Sequence, residues 1–199
     1  ARLLDEAGWT KGPDGVRQKD GVRMEIIYQT TVNPVRQKTQ EIIKSAFEQL
    51  GIKVELKSID ASVFFSSDPG NPDTAAHFYA DIEMFTNGPT SVYPVDYMIS
   101  WYGKPDNIAQ KANNWSGNNY ERWQNDEYDK AYEQALVELD PQKQAELFIK
   151  MNDLVVNNVV VIPLVHRHSV SGRAKNLTGL ELSRWTDETW NIANWRRSS

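Results

Sequence analysis

The stretch that decides the fold runs from Val22-Arg23-Met24-Glu25-Ile26-Ile27-Tyr28 through Asn33-Pro34 and Ile42-Ile43-Lys44-Ser45-Ala46-Phe47-Glu48-Gln49-Leu50-Gly51 to Ile52-Lys53-Val54-Glu55-Leu56-Lys57. Val22, Met24, Ile26 and Tyr28 alternate with Arg23, Glu25 and Ile27, which is the period of a strand. Asn33-Pro34 breaks that period. Ile42, Ile43, Ala46, Phe47 and Leu50 then recur at the spacing of one helix face, and Gly51 stops the helix. Ile52, Val54 and Leu56 alternate once more, against Lys53, Glu55 and Lys57. Strand, helix and strand in this order make a βαβ unit, for which a right-handed parallel crossover is strongly favoured.

Working outward, residues 1–8 fit a helix with Leu3, Leu4 and Ala7 on one side. Lys11-Gly12-Pro13-Asp14-Gly15 and Lys19-Asp20-Gly21 are turn clusters. Ala61 to Phe65 fits a short helix, and Asp81-Ile82-Glu83-Met84-Phe85 a third strand that runs into the polar loop 86–91. Pro94 starts a helix carrying Tyr97, Met98 and Trp101, and residues 103–119 read as loop. Two further helices are predicted. Asn125 or Asp126 caps the first, with Ala131, Ala135, Leu136 and Leu139 inward. Asp140-Pro141 opens the second, with Ala145, Phe148, Met151 and Val155 inward. The β-branched run Val159 to Val165 predicts a strand buried on both faces. The sum is an α/β chain, a three-layer lobe with a mixed sheet. Ligands of such lobes gather beyond the carboxyl ends of the strands, which makes the loop 86–91 the first candidate site.

Composition narrows the function. The chain has 199 residues, a formal net charge of −5 and no cysteine. A disulfide framework, a thiolate metal site and a cysteine nucleophile are therefore excluded. The acidic balance argues against nucleic acid as a partner. No apolar run approaches the ~18 residues of a membrane span. Seven tryptophans, at 9, 101, 115, 123, 185, 190 and 195, suggest broad ring surfaces with polar handles. The opening Ala1-Arg2-Leu3-Leu4-Asp5-Glu6 reads as a helix already under way, so the chain is expected to be a piece of something longer.

No phosphate loop, nucleophile elbow or zinc-binding His-Glu motif is present. His166-Arg167-His168 puts two rings on one side of an extended segment. It is read as a polar exit from a buried strand, and no metal or cofactor is expected. His77 is read as a surface or packing residue. Asp126, Glu127 and Asp129 sit where a helix dipole favours negative charge, which is preferred to a glycosidase pair. The stretch Asn113-Asn114-Trp115-Ser116-Gly117-Asn118-Asn119-Tyr120-Glu121-Arg122-Trp123 combines amides with aromatic rings. Such groups can hold a neutral polar solute. The competing reading is a solvated loop pinned to the core by Trp115 and Trp123.

Four stretches together resemble a known family. Leu3-Leu4-Asp5-Glu6-Ala7-Gly8-Trp9 is similar to an LLxEAG-plus-aromatic opening, and Leu50-Gly51-Ile52-Lys53-Val54 to a GI-x-V strand entry. Asn119-Tyr120-Glu121-Arg122-Trp123-Gln124-Asn125-Asp126-Glu127-Tyr128-Asp129 is similar to an N-x-x-x-aromatic pattern ending in aromatic-Asp. Val161-Ile162-Pro163-Leu164, with Arg173 to Gly179, is similar to a late strand and its sequel. In this order they resemble the C-terminal lobe of the family 5 solute-binding proteins of ABC transporters, the dipeptide and oligopeptide-binding group.

The resemblance implies a periplasmic-binding-protein-like (type II) lobe over 1–179 and a returning tail over 180–199. That tail would rejoin an N-terminal lobe lying upstream with the signal peptide. It also implies a monomeric, non-enzymatic, periplasmic or cell-surface receptor that binds a peptide or small-molecule solute and docks on ABC permease subunits. Peptide-binding members read D-(I/V)-x-x-x-G-W-x-x-D where this chain has Asp81 to Thr90. Asn87 replaces the tryptophan, and Thr90 replaces the aspartate that holds a peptide ammonium. A hydroxyl cannot neutralise an ammonium. A neutral or oligosaccharide-like solute, or a peptide held differently, is therefore expected. The expected ligand-facing residues are Asn87, Gly88, Thr90, Asn113, Asn114, Trp115 and Arg122, the last paired with a ligand carboxylate or serving the surface. The alternatives are a glycan-active α/β enzyme domain and a solute-sensing receptor module.

Overall fold

The computed structural model describes residues 1–89, 91–166, 170–183 and 186–198. It opens on α1 (Arg2–Glu6), followed by β1 (Thr10–Lys11), β2 (Arg17–Lys19) and β3 (Val22–Arg23), which pair as a small antiparallel sheet. The two turn clusters are its hairpin loops. Lys19 pairs with Val22, and the intervening Asp20 and Gly21 both take positive φ, 50° and 79°. That is the Asp-Gly hairpin turn whose twist suits the strands. Strands of two or three residues show no period, so the sequence revealed their turns and not the strands.

The βαβ unit forms, but its first strand starts at Glu25, because Val22 and Arg23 belong to the small antiparallel sheet. β4 (Glu25–Thr31), α2 (Pro34–Gln49) and β5 (Lys53–Ile59) follow in order, with the strands parallel from Glu25↔Lys53 to Thr31↔Ile59. Asn33 caps α2 by accepting the Val35 and Arg36 N–H groups, and Pro34 occupies the first turn, where its missing N–H costs nothing. After α3 (Ala61–Phe64), β6 (Ile82–Met84) pairs parallel with the far side of β4, from Tyr28↔Ile82 to Thr30↔Met84. The sheet order is β5-β4-β6, parallel throughout; antiparallel pairing among the described residues is confined to the small sheets.

Two cores flank and extend this sheet. Tyr28, Gln29, Thr30 and Thr31 of the central strand are all buried. α2 covers one face and sends Gln40 Nε2 to donate to the Tyr28 carbonyl at 2.7 Å. The other face carries Ile59, Phe64 and Ala75, packed with Val63, Phe85 and Tyr120. A separate core joins α4 (Val95–Met98), α5 (Asp126–Ala135) and α6 (Pro141–Asn157) through Val95, Tyr128, Ala131, Tyr132, Ala135, Met151 and Val155. The chain ends in a two-stranded antiparallel pair, β7 (Leu177–Thr178) with β8 (Arg196–Arg197).

Four sequence expectations need correction. The inward face of α5 is Tyr128, Ala131, Tyr132 and Ala135; the helix stops there, and Leu136 and Leu139 are exposed. On α6 the first inward position is Gln144, not the exposed Ala145. Its amide donates to Tyr93 Oη at 2.7 Å and to the Ala135 and Glu138 carbonyls. Similarly, Ile42 on α2 faces solvent, and the inward place belongs to Gln40. The run Val159 to Val165 is not a buried strand. Val159 takes a positive φ of 54° after α6, Val160 and Val161 pack on the helical core, and Ile162, Leu164 and Val165 are exposed. None of the described strands lies beside it to complete a ladder.

Arg17 ties the first segment to the βαβ unit and gave no sequence signal. It is only 2% exposed. Its Nε donates to the Leu50 carbonyl at 2.6 Å, and its Nη1 donates to Asp5 Oδ1 at 2.6 Å and to the Trp9 carbonyl. Its backbone N–H donates to the Gly51 carbonyl at 2.7 Å. Gly51 itself has φ 87°, and a Cβ there would lie 2.8 Å from the Gly15 carbonyl oxygen. Replacing Arg17 with Met keeps the stem and strands buried carbonyls. A loss of about 2–3 kcal/mol in urea unfolding is expected, with no change in secondary-structure content at zero denaturant.

Candidate functional site

The predicted site residues fall at the two ends of β6. At its carboxyl end the chain continues through Phe85 and Thr86 to Asn87 and Gly88, both exposed, where Asn87 Oδ1 accepts the Gly88 N–H at 2.9 Å. This is the region beyond the strand ends, next to Arg36 of α2, whose guanidinium donates to Thr86 Oγ1 at 3.3 Å. Thr90 lies outside the described residues, as do Arg167, His168 and Trp185.

Trp115 and Arg122 gather instead around residues 77–79, on the chain entering β6, and Asn113 and Asn114 precede Trp115 on its loop. Arg122 donates to the His77 carbonyl at 2.9 Å, the Phe78 carbonyl at 2.8 Å and the Ala109 carbonyl at 3.2 Å. Its guanidinium lies over the Trp115 ring, 5.6 Å from the centroid. The Trp115 ring also meets His77 at 4.3 Å between centroids and the edge of Tyr79 at 5.7 Å. Of the two sequence readings of His77, surface or packing, the structure shows packing: it is buried, with Nδ1 2.7 Å from Thr74 Oγ1. Phe78, Asn114, Trp115 and Arg122 all hold positive φ, from 37° to 60°. Left-handed backbone at four non-glycine positions is costly, and this knot of contacts is what holds it.

The amides of this loop are mostly committed internally. Asn113 donates to the Asp106 and Ile108 carbonyls and accepts from the Gln110 N–H. Asn119, fully buried, donates to the Tyr102 and Trp123 carbonyls and accepts the Trp123 N–H. Asn114, by contrast, is exposed. Gly117 is forced: a Cβ there would lie 2.2 Å from the Asn107 carbonyl oxygen.

Between the two groups lie residues the sequence reading passed over. Glu83, central in β6 and in register with Gln29, accepts from the Gln29 amide through Oε1, while its buried Oε2 has no partner. Burial first, and the nearby Glu121 charge, push its carboxyl up to about 8, against the Gln29 hydrogen bond and the Arg122 and Lys57 charges. Burial also raises Glu121. The Trp101 ring N–H is buried without an acceptor in hydrogen-bond geometry. The signal available in sequence was an acid in the middle of the short apolar strand Ile82-Glu83-Met84-Phe85.

The acidic cluster at the start of α5 has a structural use. Asn125 caps the helix, Glu127 pairs with Lys150 at 2.9 Å, and Asp129 Oδ1 accepts the Gly103 N–H at 2.8 Å. No group of three or more His, Asp or Glu side chains among the described residues is placed to hold a metal. None of the described helices is long and apolar enough to cross a membrane. A surface groove on α6, lined by Glu146, Ile149, Lys150, Asp153, Leu154 and Asn157, includes none of the predicted site residues.

A parallel sheet with a candidate ligand loop beyond its strand ends defines an α/β solute-binding lobe. The family model described as bacterial extracellular solute-binding proteins, family 5 Middle, matches residues 1–110, and the chain belongs to that family. Its members are solute-binding proteins of ABC importers. Among solved structures, the chain is similar to an oligopeptide binding protein from Thermus thermophilus complexed with a pentapeptide. The identity is 28% and the TM-score 0.66, over 78% of this chain and 27% of that one. NikZ from Campylobacter jejuni, in complex with Ni(L-His), shares the fold at 18% identity and TM-score 0.72, over 98% of this chain and 38% of that one. A dipeptide binding protein from Pseudoalteromonas sp. SM9913, in complex with Met-Leu, shares it at 17% identity and TM-score 0.66, over 99% and 34%. The chain thus spans between 27% and 38% of the length of these structures.

Lysine cannot reproduce the fork by which Arg122 holds carbonyls on two segments. Arg122→Lys is expected to lower stability by about 1–3 kcal/mol and to speed amide exchange at residues 77–79 and 109, read by hydrogen–deuterium exchange.

Proposed function

We propose that this chain supplies one lobe of an extracytoplasmic solute receptor serving an ABC importer. Family membership over residues 1–110 is the observation that carries the reading. In the intact protein the lobe closes with a second lobe over the solute by a hinge motion, and the closed form docks on the permease. The role is binding rather than catalysis. Of the carboxylates at the start of α5, Glu127 pairs with Lys150 and Asp129 accepts the Gly103 N–H, which supports that assignment over a glycan-active enzyme.

The solute-facing positions we assign are Asn87, Gly88 and Thr90 beyond β6; Asn114 and Trp115 belong to the loop at the strand's entering end and stand apart from them. Asn113 and Arg122 act behind them, fixing that loop. The assigned set contains no carboxylate, so a ligand ammonium would be left unpaired in a desolvated cleft. A neutral polar solute such as an oligosaccharide, or a peptide held through its backbone, fits better than a peptide held by its free N-terminus.

Native mass spectrometry of the full-length protein purified from its host is the direct test, and a co-purifying neutral or peptidic solute is the expected result. Calorimetric titration should find Thr90→Asp gaining affinity for peptides with a free N-terminus, by roughly tenfold or more for a new charge-assisted contact. An unchanged response across a peptide panel would remove Thr90 from the solute-facing set.

A further inference from the structure

Asn87-Gly88 is the only place in the sequence where asparagine precedes glycine. The pairing matters because the backbone nitrogen that follows an asparagine can attack that residue's own side-chain amide carbon. A Cβ on the following residue hinders the approach, and glycine has none. Asn33 and Asn71 precede prolines, whose nitrogen has no N–H to lose. Other asparagines are held by the fold. Asn125 caps a helix, and Asn107, Asn113 and Asn119 donate to backbone carbonyls.

Asn87 is placed for that attack. Residues 86–89 follow β6 as an exposed stretch outside any helix or strand. The Gly88 N–H donates to Asn87 Oδ1 at 2.9 Å, which lays the side-chain carbonyl against the nitrogen that would attack it. Among the described residues the Asn87 side chain has no other hydrogen-bond partner to hold it away. A Cβ built at Gly88 would meet nothing within 4 Å, so no neighbouring group crowds that backbone.

We propose that Asn87-Gly88 is a self-modification site, where spontaneous deamidation turns a neutral amide into a carboxylate. The Gly88 nitrogen gives its proton to hydroxide and forms a bond to Asn87 Cγ. The Cγ–Nδ2 bond breaks, and Nδ2 leaves as ammonia with a proton taken from solvent. One water then opens the five-membered imide at either of its carbonyls. The product is aspartate or isoaspartate at position 87, and each carries one new negative charge. Water is the only co-reactant, and no oxidation or reduction occurs.

The consequence for binding rests on the reading of Asn87, Gly88 and Thr90 as solute-facing. That set holds no carboxylate, so the modification supplies its first anionic group. A solute ammonium then meets a charged acceptor that the fresh chain does not offer. The fresh receptor favours neutral solutes, and the aged one accepts solutes with a cationic group as well.

The chemistry is tested by incubating this chain in heavy-oxygen water at mildly alkaline pH and mapping its peptides by mass spectrometry. Position 87 should lose its amide nitrogen and gain one heavy oxygen, sooner than any other asparagine and faster than at mildly acidic pH. Gly88→Ala, for which the loop has room, should slow the loss several-fold while the circular dichroism stays that of the wild type. An asparagine at position 87 that survives the incubation, or is lost at the same rate in Gly88→Ala, would overturn the site. The binding consequence is read in the full-length protein by calorimetric titration with trialanine. Aged wild type and Asn87→Asp should each bind it about tenfold more tightly than fresh protein, and N-acetylated trialanine no more tightly. Complete deamidation with an unchanged titration would overturn the gain in cation binding and, separately from the chemistry, the solute-facing reading of Asn87.

Discussion

A parallel strand in the middle of a sheet has to be covered on both faces, and β4 imposes that requirement on everything around it. Its residues Tyr28, Gln29, Thr30 and Thr31 are buried, and all three polar side chains among them are bonded: Gln29 donates to Glu83, Thr30 to the Met84 carbonyl, and Thr31 accepts from Arg36. α2 answers on one side, where Gln40 is bonded to the Tyr28 carbonyl. On the other side no long helix among the described residues lies against the strand. That face is closed by the short helix α3 with the loop after it and by the segment 119–123, which carry Phe64, Ala75 and Tyr120 into contact. Covering a sheet with loops buries backbone carbonyls that a helix would have satisfied itself. Arg122 is the consequence, because one guanidinium satisfies three of them.

The same constraint places Glu83. An apolar residue in register with Gln29 would leave the Gln29 amide without its acceptor, so some polar side chain is wanted on β6. A carboxyl meets the need with one oxygen and leaves the other idle. The loop side of the sheet is therefore both where backbone strain accumulates and where a proton is held out of its ordinary range. The helix side, sealed by α2, shows neither feature.

How much of this was legible in the sequence depended on the length of the signal. The βαβ unit was read to within a few residues because each of its parts is long enough to show a period, and because Asn33-Pro34 and Gly51 punctuate it. The third strand was read from Asp81 to Phe85, although its ladder is only three residues long. The failures share a cause. Val159 to Val165 has the composition of a buried strand, but composition does not supply a neighbour, and the described strands offer none. Leu136, Leu139 and Ala145 looked inward because they are apolar. The inward places went to Tyr128 and Gln144, whose polar tips find partners inside. Arg17, 2% exposed, broke the expectation that arginine lies outside, since its partners are carbonyls scattered from Trp9 to Leu50.

The candidate site was legible as a list and not as an arrangement. Sequence distance placed Asn87 and Trp115 on successive loops and so suggested one surface. The chain direction separates them, because 77–79 enters β6 and 87–88 leaves it. What joins the two ends is the strand itself, with Glu83 halfway along and Tyr120 packed with Phe85 on the core beside it. A change in how the 119–123 segment seats on β6 therefore acts on both ends together. It shifts the support of Trp115 through Arg122, and it shifts the base of the loop that carries Asn87 through Phe85, which packs beside Tyr120.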